Sequence, residues 1–114
     1  MLDALRAGAE TRLFTDELRN PVRVDDLADA IWALLAVPPA ERSGPWHLVG
    51  EEAFSRYDQG ALIARWAGLD PSRIIGVPSA SWDGPEPRPR DCRLTTVRAD
   101  AAGLRLRSIR TLFG

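Results

Sequence analysis

Apolar residues recur with helical spacing in two stretches of the chain. The first runs from about Asp26 to Val37, with apolar positions at i, i+4, i+7 and i+8 that share one face. The second runs from about Arg56 to Ala67; Ser55 and Asp58 form a Ser-x-x-Asp capping pattern at its start, and Gly68 suits its end. We therefore predict two main helices. Their buried faces are predicted to be Leu27, Ile31, Leu34 and Leu35 in the first and Leu62, Ile63, Trp66 and Ala67 in the second.

Short apolar runs predict the strands. The run Val22-Arg23-Val24 alternates as a half-buried strand does and leads into the first helix, which Asp25 or Asp26 can cap. Further strands are predicted at residues 10–15, 46–49 and 73–77. This order of strands and helices indicates an α/β fold. The strands are short and too few for a covered sheet, so we expect part of a sheet whose neighbours are absent.

The remaining segments are predicted to be irregular or short. Residues 1–8 are expected to form the last turns of a helix that ends at Gly8. Residues 78–90 contain four prolines and are expected to form an extended loop. A helical turn is predicted around residues 97–102, and an extended stretch with a final turn over 104–113.

Composition removes several classes of function. The chain has 114 residues and a net charge of -1. It therefore lacks the excess of positive charge that is typical of proteins that bind nucleic acid or an anionic membrane. All 15 basic residues are arginine, which excludes lysine chemistry such as a Tyr-x-x-x-Lys pair. One cysteine and one histidine exclude an internal disulfide and a metal cluster. No membrane-spanning or signal-like run is present, so a cytoplasmic protein is the default expectation.

No catalytic, cofactor-binding or metal-binding residue is predicted. His47 lies within a predicted strand and is expected to be structural, and Tyr57 is expected to pack in the core. The pair Asp25/Asp26 is expected to cap a helix, and Glu51/Glu52 to lie in a solvated turn. The glycines are scattered and form no phosphate-binding loop.

Residues 88–94 (RPRDCRL) are the most suggestive stretch for binding. Three arginines in this stretch follow a proline-stiffened loop, and an arginine fork matches phosphate or carboxylate in two parallel bonds. Arg88 and Arg90 are therefore candidate ligands for an anion. The alternative, which these residues leave open, is a solvated loop in which Asp91 pairs locally.

Four motifs in order resemble one family. They are residues 13–31 (LFTDELRNPVRVDDLADAI), 44–50 (GPWHLVG), 55–70 (SRYDQGALIARWAGLD) and 88–94 (RPRDCRL). Together they resemble the C-terminal portion of the extended short-chain dehydrogenase/reductases (the NAD(P)-dependent epimerase/dehydratase superfamily), in particular the dTDP-4-dehydrorhamnose reductase-like branch. Cys92 stands where serine is usual in that branch, which leaves the substrate's identity open.

The resemblance implies an incomplete Rossmann-type fragment. Residues 1–114 would be a single C-terminal substrate-binding portion, and the N-terminal dinucleotide-binding domain with the catalytic Tyr and Lys would be absent. NAD(P) is implied for the full-length family and no cofactor for this chain. Arg88 would lie near the phosphates or the sugar of a sugar nucleotide, and the Asn20-Pro21 turn would line the cleft.

Two hypotheses follow from the sequence. In the first, the chain is the sugar-nucleotide-binding portion of an NAD(P)-dependent reductase or epimerase and is not catalytic alone. In the second, it is a non-catalytic interaction module that pairs with a Rossmann-type partner, or with itself as a homodimer, through exposed strand edges such as residues 46–49.

Overall fold

The computed structural model describes residues 1–113 of the chain. The elements in chain order are α1 (Leu2–Arg6), β1 (Thr11–Phe14), β2 (Leu18–Arg19), α2 (Val24–Ala36), α3 (Pro39–Arg42), β3 (Phe54–Ser55), α4 (Arg56–Trp66), β4 (Ile74–Val77) and α5 (Val97–Ala101). Three short 3-10 turns lie at Pro71–Arg73, Ser79–Ser81 and Ile109–Leu112. The chain divides into two compact units, residues 1–19, 54–92 and 113 in the first and residues 20–53 and 93–112 in the second. The predicted α/β class is confirmed.

The first unit is built on a parallel strand pair with a helix against it. Strands β1 and β4 run parallel, with Thr11 opposite Ile74 and Phe14 opposite Val77. The core of this unit comprises Leu5, Ala64 and Ile74, with Leu13, Tyr57 and Leu69 packed around them. The predicted strands at 10–15 and 73–77 and the core position of Tyr57 are therefore confirmed.

Helix α4 begins and ends as the sequence predicts. The Ser55 hydroxyl accepts a hydrogen bond from the Asp58 amide at 3.0 Å and donates to the Asp58 carboxylate at 2.7 Å. Gly68 follows the helix with a φ of +69°, a conformation that costs glycine little.

The predicted buried face of α4 is wrong in part. The buried residues are Gly60, Ala61 and Ala64, whereas Trp66 is largely exposed. Small residues let the helix approach β1 so closely that a Cβ on Gly60 would collide with the Leu13 side chain. The buried face is therefore the one whose small residues let the helix backbone approach the side chains of β1, and not the one with the largest apolar side chains.

Helix α2, in the second unit, differs from its prediction at its start and in its orientation. The helix already includes Val24, so residues 22–24 form no strand, and neither Asp25 nor Asp26 caps it. The buried residues of α2 are Asp26 and Ala30, whereas Ile31 and Leu35 are exposed. The predicted apolar stripe is thus wrong in part, since Leu27 and Leu34 are half-buried and the most buried face is that of Asp26, which an ion pair holds.

That ion pair joins Asp26 to Arg107. The Asp26 carboxylate accepts hydrogen bonds from the Arg107 amide at 2.8 Å and from its guanidinium, and Arg23 lies 3.8 Å away. The hydrogen bond from the Arg107 side chain, with smaller contributions from the Arg107 amide and from charge, lowers the pKa of Asp26 from 3.8 to about 2. Asp26 therefore stays ionised in the folded chain well below the pH at which it protonates in the unfolded chain.

We expect this pair to make the second unit sensitive to acid. Because the folded pKa is the lower one, the stabilisation is fully present above about pH 4 and is lost as the pH falls towards about 2. The difference in unfolding free energy between the native chain and Asp26→Asn should therefore shrink across this range, as measured by urea unfolding at each pH. Asp29→Asn, an exposed change one turn along the same helix, is the control. An Asp26→Asn difference that is constant with pH would contradict the assignment.

Residues 46–49 do not form the predicted strand. The Trp46 indole instead donates to the Arg42 carbonyl at 2.8 Å, and the Arg98 guanidinium covers its ring at 3.9 Å. His47 is exposed, with Nδ1 3.2 Å from the Thr95 carbonyl. The side chains of this segment thus hold it as an irregular connection, and the strand edge expected to pair with a partner is not there.

Two further features of the sequence interpretation need correction. Strands β2 and β3 pair antiparallel, with Leu18 opposite Ser55. They were not predicted, because two residues per strand are too few to show alternation of apolar and polar side chains. Glu51 and Glu52 are not simply solvated. The Ser108 amide donates to Glu51 at 3.2 Å, and the Ser108 hydroxyl and Arg110 guanidinium donate to Glu52. These acceptors hold the C-terminal stretch in the second unit.

No helix within residues 1–113 is long and apolar enough to cross a bilayer.

Candidate functional site

The candidate site lies in the first unit, where strands β1 and β4 end. Their carboxyl ends meet at one edge, which is where open α/β sheets bind ligands. The Asp16 carboxylate follows β1 and accepts hydrogen bonds from the Ser79 amide at 2.7 Å and the Ser79 hydroxyl at 2.8 Å. The hydrogen bond from the Ser79 hydroxyl is the main cause of the lowered pKa of Asp16. Asp16 thereby ties together the two segments that leave the sheet.

Glu17 is the buried centre of this edge. Its carboxylate, fully shielded from solvent, accepts hydrogen bonds from Arg88 at 2.5 Å and 3.1 Å. Arg19 and Arg56 lie 3.8 and 3.7 Å from the same carboxylate without a hydrogen bond to it. The side-chain bond from Arg88 lowers the pKa of Glu17 against the effect of burial. A buried carboxylate is therefore kept ionised by two parallel hydrogen bonds from one arginine.

Arg88 contacts two aromatic rings as well as Glu17, while 35% of its side chain stays exposed. Its guanidinium carbon lies 5.2 Å from the ring centre of Phe14 and 5.3 Å from that of Trp82. The two rings meet edge to face, with centres 6.5 Å apart. The Trp82 indole donates to the Glu86 carbonyl at 3.3 Å, which closes the loop upon itself. Arg88 is thus the point at which the proline-rich loop is fastened to the end of β1.

Arg90 lies on the same loop but faces outward. Its side chain is 65% exposed, and its Nε lies 3.9 Å from Asp16. The main chain at this point is held, because the Arg90 carbonyl accepts hydrogen bonds from the Leu18 amide at 2.7 Å and from Arg19 at 3.0 Å. Both Arg88 and Arg90 line an open pocket of about 390 Å³, together with Ser79, Trp82, Gly84, Pro85, Glu86 and Pro87.

Asn20 and Pro21 belong to the second unit. The Asn20 side-chain amide donates to the Gly50 carbonyl at 3.1 Å, and its oxygen accepts from the Leu94 amide at 3.0 Å. The Pro21 carbonyl lies against the Gly50 backbone. The predicted turn is therefore braced by neighbouring backbone, and its role in lining a cleft stays a prediction.

The sequence interpretation missed the two carboxylates of the site. No role was predicted for Asp16 and Glu17, although they lie just past the end of strand β1, after Thr15. Polar residues at that position are a recognisable signal for a ligand-binding edge in α/β folds. The burial of Glu17 had no local signal, since its main partner lies 71 residues further along the chain.

A dinucleotide does not fit the strand ends within the described residues. A pyrophosphate site needs a glycine-rich turn that leads into a helix N-terminus. Here β1 is followed by Thr15 and two carboxylates, and β4 by Pro78 and a 3-10 turn. Neither turn offers the glycine cradle that a dinucleotide's pyrophosphate requires.

Comparison with known proteins identifies the family. Residues 1–112 match the profile of the RmlD substrate binding domain. The chain belongs to this family. It therefore lies in the dTDP-4-dehydrorhamnose reductase-like branch of the short-chain dehydrogenase/reductases, as the four motifs predicted.

Curated relatives agree with this assignment. A dTDP-4-dehydrorhamnose reductase of Mycobacterium tuberculosis (strain H37Rv) is 33% identical over 89 residues, which are 78% of this chain and 29% of the relative. The spore coat polysaccharide biosynthesis protein SpsK of Bacillus subtilis (strain 168) is 28% identical over 107 residues, or 94% of this chain and 36% of the relative. The chain thus spans about a third of the length of these relatives.

Proposed function

We propose that this chain is the substrate-binding portion of a sugar-nucleotide reductase and is not catalytic by itself. The observation that carries the proposal is the match of residues 1–112 to a substrate-binding domain. The loop that bears Arg88 and Arg90, at the carboxyl ends of two parallel strands, supports it. Because the named reductase relatives act on a dTDP-sugar, we propose a nucleoside-diphosphate sugar as the ligand class.

The division of labour follows from the residues present. Cationic side chains at the pocket would attract the diphosphate, while the enclosing loop would exclude water from one side of the sugar. The chain has no lysine, so a Tyr/Lys pair for proton transfer would come from another polypeptide segment. NAD(P), which the family resemblance implies for the full-length proteins, would be held there too.

The sheet supports the view that this is one portion of a larger fold. Among the described residues, β1 and β4 pair only with each other, as a two-stranded parallel sheet. Parallel sheets are normally larger and covered on both faces, since a short parallel pair buries little surface alone. Further strands beside this pair would complete a Rossmann-type sheet.

We expect the 114-residue chain to bind dTDP-glucose, measured by isothermal titration calorimetry. Arg90→Gln should weaken this binding about tenfold, because a charge-assisted bond to phosphate is lost. Arg73→Gln is the matched control, since it removes the same charge next to the amino end of strand β4. NADPH should give no binding signal. Equal affinities for Arg90→Gln and Arg73→Gln, or no binding of dTDP-glucose, would contradict the proposal.

Exposed apolar residues on helix α2 favour the alternative, an interaction module. Trp32 is 74% exposed, and Val24 and Leu35 are also exposed. Under this alternative the chain should form a dimer whose population rises with concentration, and Trp32→Ser should abolish it. Light scattering after size-exclusion chromatography makes the distinction, since a monomer at all concentrations would remove self-association as the function.

A further inference from the structure

We propose that Glu17 and Arg88 form a latch that positions the loop of residues 82–90, and that Arg90 makes the direct contact with the ligand's anionic group. The second half rests on the proposed function. The first half concerns the free chain and stands on its geometry alone. In this assignment Arg88 is a positioning residue, because the fork of its guanidinium is bonded to Glu17.

Glu17 engages two of the five N–H donors of Arg88. The Nε and one terminal nitrogen donate to the two oxygens of Glu17, which is the parallel fork that arginine forms with a carboxylate. Phe14 and Trp82 pack close to the same guanidinium. A phosphate that took this fork would have to displace a fully buried carboxylate, which would leave that charge without its partner. This cost disfavours a direct role for Arg88 in binding an anion.

The same contacts fasten the loop at consecutive points. Arg88 is tied to Glu17, the Pro89 carbonyl accepts from Arg19 at 2.8 Å, and the Arg90 carbonyl accepts from Leu18 and Arg19. These anchors hold the backbone of residues 88–90 against Glu17 and strand β2 while the Arg90 side chain extends into solvent. An arginine on a fixed backbone loses less entropy when it binds a phosphate.

The latch predicts a protected peptide bond. Trypsin does not cut Arg88–Pro89, so Arg88→Gln leaves the set of cleavable bonds unchanged, and the reporter is cleavage after Arg90. We expect Glu17→Gln and Arg88→Gln each to speed this cleavage at least about tenfold, because loss of a charge-assisted bond raises the open population. The double variant should be no faster than either single one.

Arg56→Gln is the matched control for the latch. The Arg56 guanidinium also lies 3.7 Å from the Glu17 carboxylate, but it makes no hydrogen bond to that group and is not on the loop. The Arg56 amide donates to the Glu17 carbonyl at 3.1 Å, and the substitution leaves this backbone bond in place. Its removal should leave cleavage after Arg90 unchanged. Equal rates in Glu17→Gln and the native chain overturn the latch. Should Glu17→Gln fail to fold, slow amide exchange of Leu18 and Cys92 in the native chain, lost in Arg88→Gln, tests the same anchors.

Binding of dTDP-glucose separates positioning from direct contact. If Arg88 acts through the loop, Glu17→Gln and Arg88→Gln should weaken binding by the same factor, and the double variant by no more. Arg90→Gln should weaken binding further when added to either. A loss on Arg88→Gln that Glu17→Gln does not reproduce overturns the assignment and makes Arg88 a direct ligand. If the native chain binds no dTDP-glucose while the cleavage pattern holds, the proposed function fails and the latch stands.

Discussion

Replacing Gly50 with alanine will lower the free energy of unfolding by about 3 kcal/mol. Gly50 is buried, and a Cβ at this position would lie far inside 3.0 Å of the Pro21 carbonyl oxygen. The obstacle is backbone, which cannot rotate away as the end of a side chain can. The Asn20 side-chain amide also donates to the Gly50 carbonyl, so the segments around residues 20 and 50 are held together at this point. The added methyl must therefore push apart a bonded pair of segments.

Chemical denaturation of the native chain and Gly50→Ala measures this effect, and Gly8→Ala provides the comparison. Gly8 has a φ of +74° but open space around it, so alanine there meets strain without a collision. We expect that change to cost only about 1 kcal/mol. Similar losses in the two variants would show that the Pro21 contact yields easily and that Gly50 is not required for close approach.

Replacing Ile74 with alanine will lower the free energy of unfolding by about 3 kcal/mol as well. Ile74 is only 3% exposed and packs with Leu5 and Ala64 in the core of the first unit. Removing three of its carbons leaves a cavity between strand β4 and helices α1 and α4. The strand and the helices move little to fill such a space, because protein cores are closely packed. Ser79, which donates to Asp16, follows the end of strand β4 by two residues, so loosening of the strand should weaken the candidate site.

Ile75→Ala is the matched control for this core. Ile75 is the next residue of the same strand and is 37% exposed on the opposite face. Its replacement by alanine removes the same side-chain volume as Ile74→Ala. We expect it to cost about 1 kcal/mol or less. Denaturant unfolding at fixed pH gives both values. Equal costs at the two positions would mean that β4 is covered on both faces in solution, as a strand within a larger sheet would be.

Each unit contains a buried carboxylate that arginines hold. Glu17 receives Arg88 in the first unit, and Asp26 receives Arg107 in the second. A chain whose 15 basic residues are all arginine is suited to such pairs, since the planar fork satisfies both carboxylate oxygens whereas lysine presents a point charge. We expect Arg88→Lys to restore only part of the loop protection that Arg88→Gln removes, because lysine cannot reproduce two parallel bonds.

The sequence by itself determined those elements whose signals are local. The start of α4 was predictable because Ser55 and Asp58 cap each other across one helical turn, and its end because Gly68 adopts the left-handed conformation. Strands β1 and β4 followed from short apolar runs. The family followed from four motifs in order, and the profile match over residues 1–112 confirms it. All of these depend on neighbours within a few positions, or on motif order, which the chain carries wherever it folds.

Only the tertiary structure decided which side chains are buried and what holds the candidate site. Helix α2 buries Asp26 more deeply than its leucines, because Arg107, 81 residues further along the chain, supplies the partner. Glu17 is buried for the same reason, with Arg88 71 residues away. Hydrophobic periodicity assumes that apolar residues face inward. A forked ion pair overrides it when the geometry satisfies both oxygens of a buried carboxylate, and no local pattern in either segment reveals that pairing.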